Sequence, residues 1–470
     1  MDLTALGAVE LLTAYRARSL SPVGVVRALL AHVERWEPHL HATYLLRPEL
    51  ALQQARASEA RWQRGEPCGA LDGVPVTLKD NIATRGDPVP LGTAATELIA
   101  ARADAPPAAR LFEAGAVLLC KTTMPDYGML SSGLSSFHAN ARNPWDLSKT
   151  PGGSSSGAGA AAAAGYAPLH IGTDIGGSIR LPATWCGIVG FKPSLGRIPI
   201  DPPYTGRCAG PMTRTVRDAA CMMPVLSLPD ARDSMSLPPQ AIAWDQVTRG
   251  ADLVRGKRIG LLLDAGCGLP LDPEVAAAVK RTAHALEQAG AIVEPMRPWL
   301  TPQMLDGMDR AWRMRSHIDL CALPPERRAS VLPFIQAWAD SAADMDGVAT
   351  FQAMAQYHAT RVATVRACTP YDFVLSPVAP MTAFDASIPS PTNDPLRALE
   401  HIAYTVPYNM SEQPALSVPV GLSSTGLPIG VQLAGQRFDD LGVLQLGYAV
   451  EQLRGALSPW PEPPTMGVSL

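Results

Sequence analysis

The chain predicts an α/β sandwich built on a largely parallel or mixed central sheet. Two observations carry that prediction. Segments with helical spacing of apolar residues alternate with short β-rich runs from end to end. The hydrophobic fraction, 47% of 470 residues, is that of a folded globular protein, and no internal repeat interrupts the alternation.

The elements follow in order. Residues Ser21–Trp36 read as a helix, because Ser21 suits the N-cap, Pro22 suits the first helical position, and Val26, Leu29, Leu30 and Val33 share one face. A second helix covers about Glu49–Arg64. "GVPVTL" (73–78) is β-rich and turn-bounded, a strand ending at Lys79. A helix near Pro107–Ala114 precedes the strand Ala116–Leu119. Ala158–Ala164 is a strong helix former, and "PLHIG" beyond it reads as a strand. Strand "RIGLLL" (258–263), helix Pro273–Ala289 and strand Ala291–Val293 come next. Helices near Gln303–Ile318 and Gly347–Ala367 lead into strands at 373–376, 415–418 and 429–434, and helix Leu441–Arg454 closes the series.

Composition excludes several function classes. A formal net charge of −4 with no basic run argues against nucleic-acid binding. The N-terminus carries acids at Asp2 and Glu10 in an amphipathic pattern, unlike a secretory signal. The longest apolar run, Ala158–Ala164, is far below the roughly 20 residues of a membrane span. The eight cysteines are scattered with no C-x-x-C pair, so no metal site is indicated and a reduced, cytoplasmic protein is expected. Lysine is scarce, six residues against 33 arginines, which makes each lysine a question. Lysine can lose its proton when buried, whereas arginine effectively cannot.

Two Gly-rich stretches hold candidate chemistry. "TPGGSSSGAGAAAAAG" (150–165) places Gly152–Ser156 on a loop opening a helix, where free N–H groups and hydroxyls gather. By itself it fits a linker-like loop as well as a site. In "GTDIGGSIRLPA" (172–183), Gly176 and Gly177 precede Ser178, so the backbone can approach a substrate and its N–H groups can hold an oxyanion. A structural turn fits this motif equally well. The nucleophile-elbow pattern G-x-S-x-G is absent, since position 180 is Arg. Lys79, at a strand end before "DN", is a candidate base; a lysine snorkelling to the surface is the plain alternative. His138 and His170 stand near in sequence and would serve only a Ser–His–Asp hydrolase.

Together "GALDGVPVTLKDNI" (69–82), "TPGGSSSGAGAAAAAG" and "GTDIGGSIRLPATWCGIVGFKPSLGRI" (172–198) resemble the amidase signature family. "ARNPWD", "AGPMTRTVRDAA", "YDFVLSP", "YNMSEQPALSVPVG" and "GLPIGVQLAG" extend the likeness over nearly the whole chain. The resemblance implies a large mixed sheet covered by helices on both faces, in a single domain over 1–470. Its signature core would span about 65–225 and its variable substrate-lining region about 300–410. It further implies a Ser–cis-Ser–Lys triad: Ser178 the nucleophile, Ser154 the relay on a cis peptide, Lys79 the base. The N–H groups of Ile175, Gly176, Gly177 and Ser178 would form the oxyanion hole. Ser155, Thr173, Asp174 and Arg180 would hold these turns, and Tyr127, Gly128 and Met129 would contact substrate.

The implied activity is hydrolysis of a small amide, anilide or carbamate, with ester cleavage alongside, by a cofactor-free monomer or homodimer. Within the family the alternative is the glutamine-hydrolysing component of a tRNA-dependent amidotransferase. Outside it, the alternative is a non-catalytic binding protein on the same scaffold. Two positions depart from the family: Thr123 stands where Asn is usual, and Glu412 where Gly is usual. Glu412 is expected to be a solvated loop residue rather than a charge at the pocket edge. The large apolar residues of 300–410 (Met304, Met308, Trp312, Met314, Phe334, Trp338, Phe351, Met354 and Tyr357) are expected to be mostly core, with some lining an apolar funnel.

Overall fold

The computed structural model describes residues 2–457 and 459–464. Its frame is one sheet of eleven strands: β1 (Thr43–Leu46), β2 (Pro75–Lys79), β3 (Val117–Thr122), β4 (Leu169–Asp174), β5 (Val189–Lys192), β6 (Cys208–Thr213), β7 (Arg258–Leu261), β8 (Ile292–Pro295), β9 (Phe373–Pro377), β10 (Ala415–Leu422) and β11 (Pro428–Gly435). They lie in the order β1-β3-β2-β4-β6-β5-β10-β11-β9-β7-β8. The sheet is mixed. The β3-β2-β4 and β9-β7-β8 neighbours run parallel, and the other pairs are antiparallel.

β2 and β3 are buried along their whole length, as parallel strands covered on both faces must be. Leu71, Val76, Leu78, Leu118 and Leu169 share one apolar cluster with the helices Pro106–Glu113 and Val216–Leu226. Tyr15, Val26, Val33 and Trp36, from the helices Ala8–Arg16 and Pro22–Leu40, pack with Ala160 and Ala164 in another.

The predicted elements are present with shifted ends; the helix begun at Ser21, for example, runs through Pro38 to Leu40. The sequence pattern does not reveal β1, β5, β6 or the helices Ala8–Arg16, Val216–Leu226 and Pro333–Asp340. β5 and β6 are hidden by Gly190, Gly210 and Pro211, residues that normally mark turns. Here the glycines answer to packing: a Cβ at Gly210 would stand 2.0 Å from Phe191 O, and one at Gly190 2.5 Å from Ala183 Cβ.

The helix Ser156–Ala164 is apolar all round and buried at every residue. A Cβ at Gly157 would stand 2.2 Å from Ala42 O and 2.4 Å from Thr123 N. Thr123 itself is buried, donating from Oγ1 to His41 O at 3.2 Å and accepting at its carbonyl from Gly157 N. This stretch is packed core opening from a loop, and no linker. Among the described residues no helix is long and apolar enough to cross a membrane.

Candidate functional site

The site lies where β2 and β4 end side by side, at the carboxyl edge of the parallel trio. Lys79 is the last residue of β2 and is fully buried. Its Nζ is within hydrogen-bond distance of Ser154 Oγ (2.8 Å), Ser155 Oγ (3.0 Å) and Thr173 Oγ1 (3.1 Å). All three partners are hydroxyls. Burial, and then the charge of Arg207, push the Lys79 ammonium well below its ordinary value; Asp80 and Asp174 oppose this more weakly. Asp80 is otherwise engaged, accepting from Leu91 N, Gly92 N and His138 Nε2.

The two Gly/Ser loops are tied together behind the lysine. Ser155 N donates to Ser178 O at 3.2 Å, Ser155 Oγ donates to Thr173 O at 3.2 Å, and Asn81 Nδ2 donates to Thr173 Oγ1 at 3.1 Å. The Gly153–Ser154 peptide is cis. Gly177 adopts φ 126°, open to glycine alone, and a Cβ there would stand 2.6 Å from Thr405 Oγ1.

Asp174, ending β4, forms a buried two-point pair with Arg180, Nε–Oδ2 3.0 Å and Nη2–Oδ1 2.9 Å. Burial opposes ionisation of this carboxyl, but the Arg180 charge and hydrogen bonds outweigh it and hold it below the usual carboxylate range. Arg180 also donates to Thr405 O, Gln432 Oε1 and Asn409 Oδ1. Thr405 Oγ1 in turn donates to Gly176 O at 2.6 Å. Sequence reasoning does not single out Thr405, Asn409 or Gln432, although Asn409 and Gln432 lie inside the quoted stretches "YNMSEQPALSVPVG" and "GLPIGVQLAG".

A cavity of about 480 Å³ opens in front of this network. Ser178, half-buried, stands on its wall with Ile175, Gly176 and Ser154. Ser154 is 4% exposed and Lys79 wholly enclosed, so the series runs from cavity to interior. Tyr127, Gly128 and Met129 line the same cavity, and a Cβ at Gly128 would stand 3.2 Å from Ser154 Oγ. A larger cavity of about 870 Å³ lies between the N-terminal turn and the C-terminal segment, and none of the predicted site residues lines it.

Several expectations are corrected. The Gly177 N–H donates to Asp174 Oδ1 at 2.8 Å, so it is spent on the turn. Of the four N–H groups expected to face an oxyanion, those of Ile175, Gly176 and Ser178 remain. Glu412 is a partly exposed loop residue away from the cavity, and it pairs with Arg361 and Arg437, each at 2.5 Å. Its φ of 66° is the left-handed conformation for which glycine is the usual choice. Of the nine large apolar residues singled out in 300–410, only Trp312 lines the cavity. Met308 and Trp338 are core, while Phe351 and Met354 point to solvent, 75% and 54% exposed.

The wall from that region is instead one face of the helix Pro302–Cys321, bearing Trp312, Arg315, Ser316, Asp319 and Leu320, joined by Ile335 and Ile402. Neither His138 nor His170 lines the cavity. His170 donates from Nε2 to Ala167 O and accepts at Nδ1 from Thr77 Oγ1, and burial pushes it down to about 3.

Known proteins share this architecture. The family model described as Amidase matches residues 24–444. Two curated relatives are the A subunits of the Glutamyl-tRNA(Gln) amidotransferases of Bdellovibrio bacteriovorus and Myxococcus xanthus. The first is 34% identical over 490 residues, covering 96% of this chain and 97% of that one. The second is 34% identical over 502 residues, covering 96% and 98%. Among solved structures, a bacterial aryl acylamidase belonging to the amidase signature enzymes superposes with a TM-score of 0.87 at 31% identity, covering 97% of this chain and 96% of that one. The 6-aminohexanoate cyclic dimer hydrolase complexed with substrate does so with a TM-score of 0.86 at 27% identity, covering 98% and 99%. Since the family match takes in every strand of the sheet and both Gly/Ser loops, this chain belongs to the amidase signature family of hydrolases.

Proposed function

We propose that the chain is a serine hydrolase that cleaves the C–N bond of a small carboxamide, anilide or carbamate, and esters as well, through an acyl-enzyme on Ser178. One observation carries this reading. A wholly buried lysine, pushed well below its ordinary protonation range by burial and then by Arg207, faces only hydroxyls, and its 2.8 Å partner Ser154 shares a cavity wall with Ser178. A neutral amine in that setting is a proton acceptor.

In the first half-reaction Ser178 Oγ bonds to the substrate carbonyl carbon. Its proton passes to Ser154 Oγ while the Ser154 proton moves to Lys79 Nζ. The carbonyl oxygen becomes an oxyanion facing the N–H groups of Ile175, Gly176 and Ser178. On collapse the C–N bond breaks, and the proton returns from Lys79 through Ser154 to the leaving nitrogen. Lys79 is neutral again and the acyl group is esterified to Ser178. Water then repeats the sequence, and the acid leaves. The proton balance closes on these three side chains without a cofactor.

The test is hydrolysis of p-nitroanilide, p-nitrophenyl ester and aryl carbamate panels by the purified chain. Ser178→Ala and Lys79→Ala should each lower kcat by about a thousandfold or more while the far-UV circular dichroism of the folded protein is kept. Retained activity in either variant, or loss of activity instead in a His138→Ala or His170→Ala protein whose Tm matches the wild type, would overturn the assignment.

A second reading is favoured by the sequence relatives, which are amidotransferase components. It predicts turnover of free glutamine alone, and only with a partner protein present. Anilide hydrolysis by the isolated chain separates the two.

A further inference from the structure

The cavity wall that faces Ser178 carries two guanidinium groups with too little acid to match them. Arg207, at the entrance to β6, makes one long hydrogen bond, Nη1 to Pro202 O at 3.4 Å. Among the described residues it has no carboxylate within ion-pair distance. Arg315 lies with its guanidinium carbon 5.1 Å from the Tyr204 ring centre. Its Nη2 reaches only Met129 Sδ at 4.0 Å, and its Nε is buried without a hydrogen-bond partner. The nearest acid is Asp319, one turn on, at 3.9 Å and 65% exposed.

Among the described residues, other enclosed arginines have closer partners: Arg180 pairs with Asp174, Arg197 with Asp440 and Arg313 with Asp309, and Arg214 donates to the carbonyls of Ala162, Ala163 and Thr4. The cavity pair has neither a close carboxylate nor such a set of carbonyl acceptors. The two charges also act on each other. Burial and then the charge of Arg315 lower the Arg207 pKa, and Asp201 only partly offsets them. With Asp319 loosely held and Asp201 only partly offsetting, the two guanidinium groups leave the wall with positive character. A monoanion bound there would relieve the repulsion, and a carboxylate matches the planar fork of guanidinium donors.

We propose that Arg207 and Arg315 form a carboxylate-recognising wall, so that the preferred substrate is an amide bearing a carboxylate away from its scissile bond. The inference rests on the hydrolase reading above and adds the substrate class. The carboxylate belongs either to the acyl part or to the leaving amine, and matched substrates distinguish the two.

The experiment compares N-succinyl-p-nitroanilide with N-butanoyl-p-nitroanilide for the acyl side. For the leaving side it compares 4-acetamidobenzoate with 4-acetamidotoluene. In one of the two pairs the anionic member should show a kcat/KM about tenfold or more above its neutral counterpart, expressed chiefly in KM. Arg315→Gln should collapse that ratio towards one, and Arg315→Lys should restore part of it. Equal or inverted ratios in both pairs, or a ratio unmoved by Arg315→Gln, would overturn the inference while leaving the hydrolase reading intact.

Calorimetric titration of the Ser178→Ala protein with the same four compounds reads recognition without turnover. Tighter binding of an anionic member, lost in the double variant with Arg315→Gln, supports the wall. If the wild type cleaved none of the four but Ser178→Ala bound the anionic ones, the hydrolase reading would fail and the carboxylate wall would stand.

Discussion

Two salt bridges lie beside the same cavity and differ in nearly every respect. Asp174–Arg180 is wholly buried, joined at two points, and bonded further to Gly177 N, Ile179 N and Asn409 Nδ2. Arg315–Asp319 is a single approach of 3.9 Å between side chains 36% and 65% exposed. The first belongs to a closed network that fixes the Ile175–Ser178 turn beside Lys79. The second belongs to an open wall where charge is left over. The contrast separates the part of the cavity built to hold a geometry from the part free to meet a substrate.

The sharpest test is the same chemical change at both acids. Asp174→Asn leaves the Arg180 guanidinium buried with one neutral amide in place of its counter-charge. Breaking a buried pair in this way costs about 3–5 kcal/mol. The carboxylate also holds the Gly177 and Ile179 N–H groups, so the turn carrying Ser178 should loosen as the protein destabilises. Denaturant unfolding with a parallel assay should show both losses together. A Tm within a degree of the wild type would break the comparison at its strong end.

A second test uses Lys79, the titratable centre of the closed network. Its ordinary value is 10.5, and in the folded protein it lies well below that. Between those two values the unfolded chain binds the proton and the folded protein does not. Wild-type stability therefore falls as pH is lowered from 10.5 through that window, with a slope of up to about 1.4 kcal/mol per pH unit. Lys79→Met removes the group and the slope with it. Chemical denaturation at pH 7 and pH 9.5 should show the variant gaining on the wild type as pH falls. A constant difference would mean that Lys79 stays charged in the fold.

The same contrast governs what was legible in the sequence. The closed network is local: glycines, serines and one lysine at fixed places beside strand ends, which short motifs express directly. β2, β4 and the buried alanine helix were readable because each has an unmixed pattern. β5 and β6 were not, since Gly190 and Gly210 serve close backbone contact while reading as breakers. Gly177 escaped because the donor-rich turn gives no sign of which N–H the Asp174 carboxylate takes. The wall was hardest. Composition drew attention to Phe351 and Met354, which face solvent, and passed over Arg315 and Asp319, which line the cavity. Which face of a helix meets a cavity is decided by tertiary packing, and an apolar count carries no information about a charged face.

The smallest expected effect is at the other acid. Asp319 is mostly exposed, and its partner lies at the outer limit of an ion pair, so Asp319→Asn should change stability by no more than about 0.5 kcal/mol. Its consequence lies in recognition. Removing that carboxylate leaves Arg315 without its nearest acid, so the preference for an anionic over a neutral amide should rise, while the preference in Arg315→Gln falls. Opposite movements of one ratio, from two substitutions that barely alter stability, would tie the wall's positive character to substrate choice. If Asp319→Asn cost as much stability as Asp174→Asn, this wall would be part of the closed network.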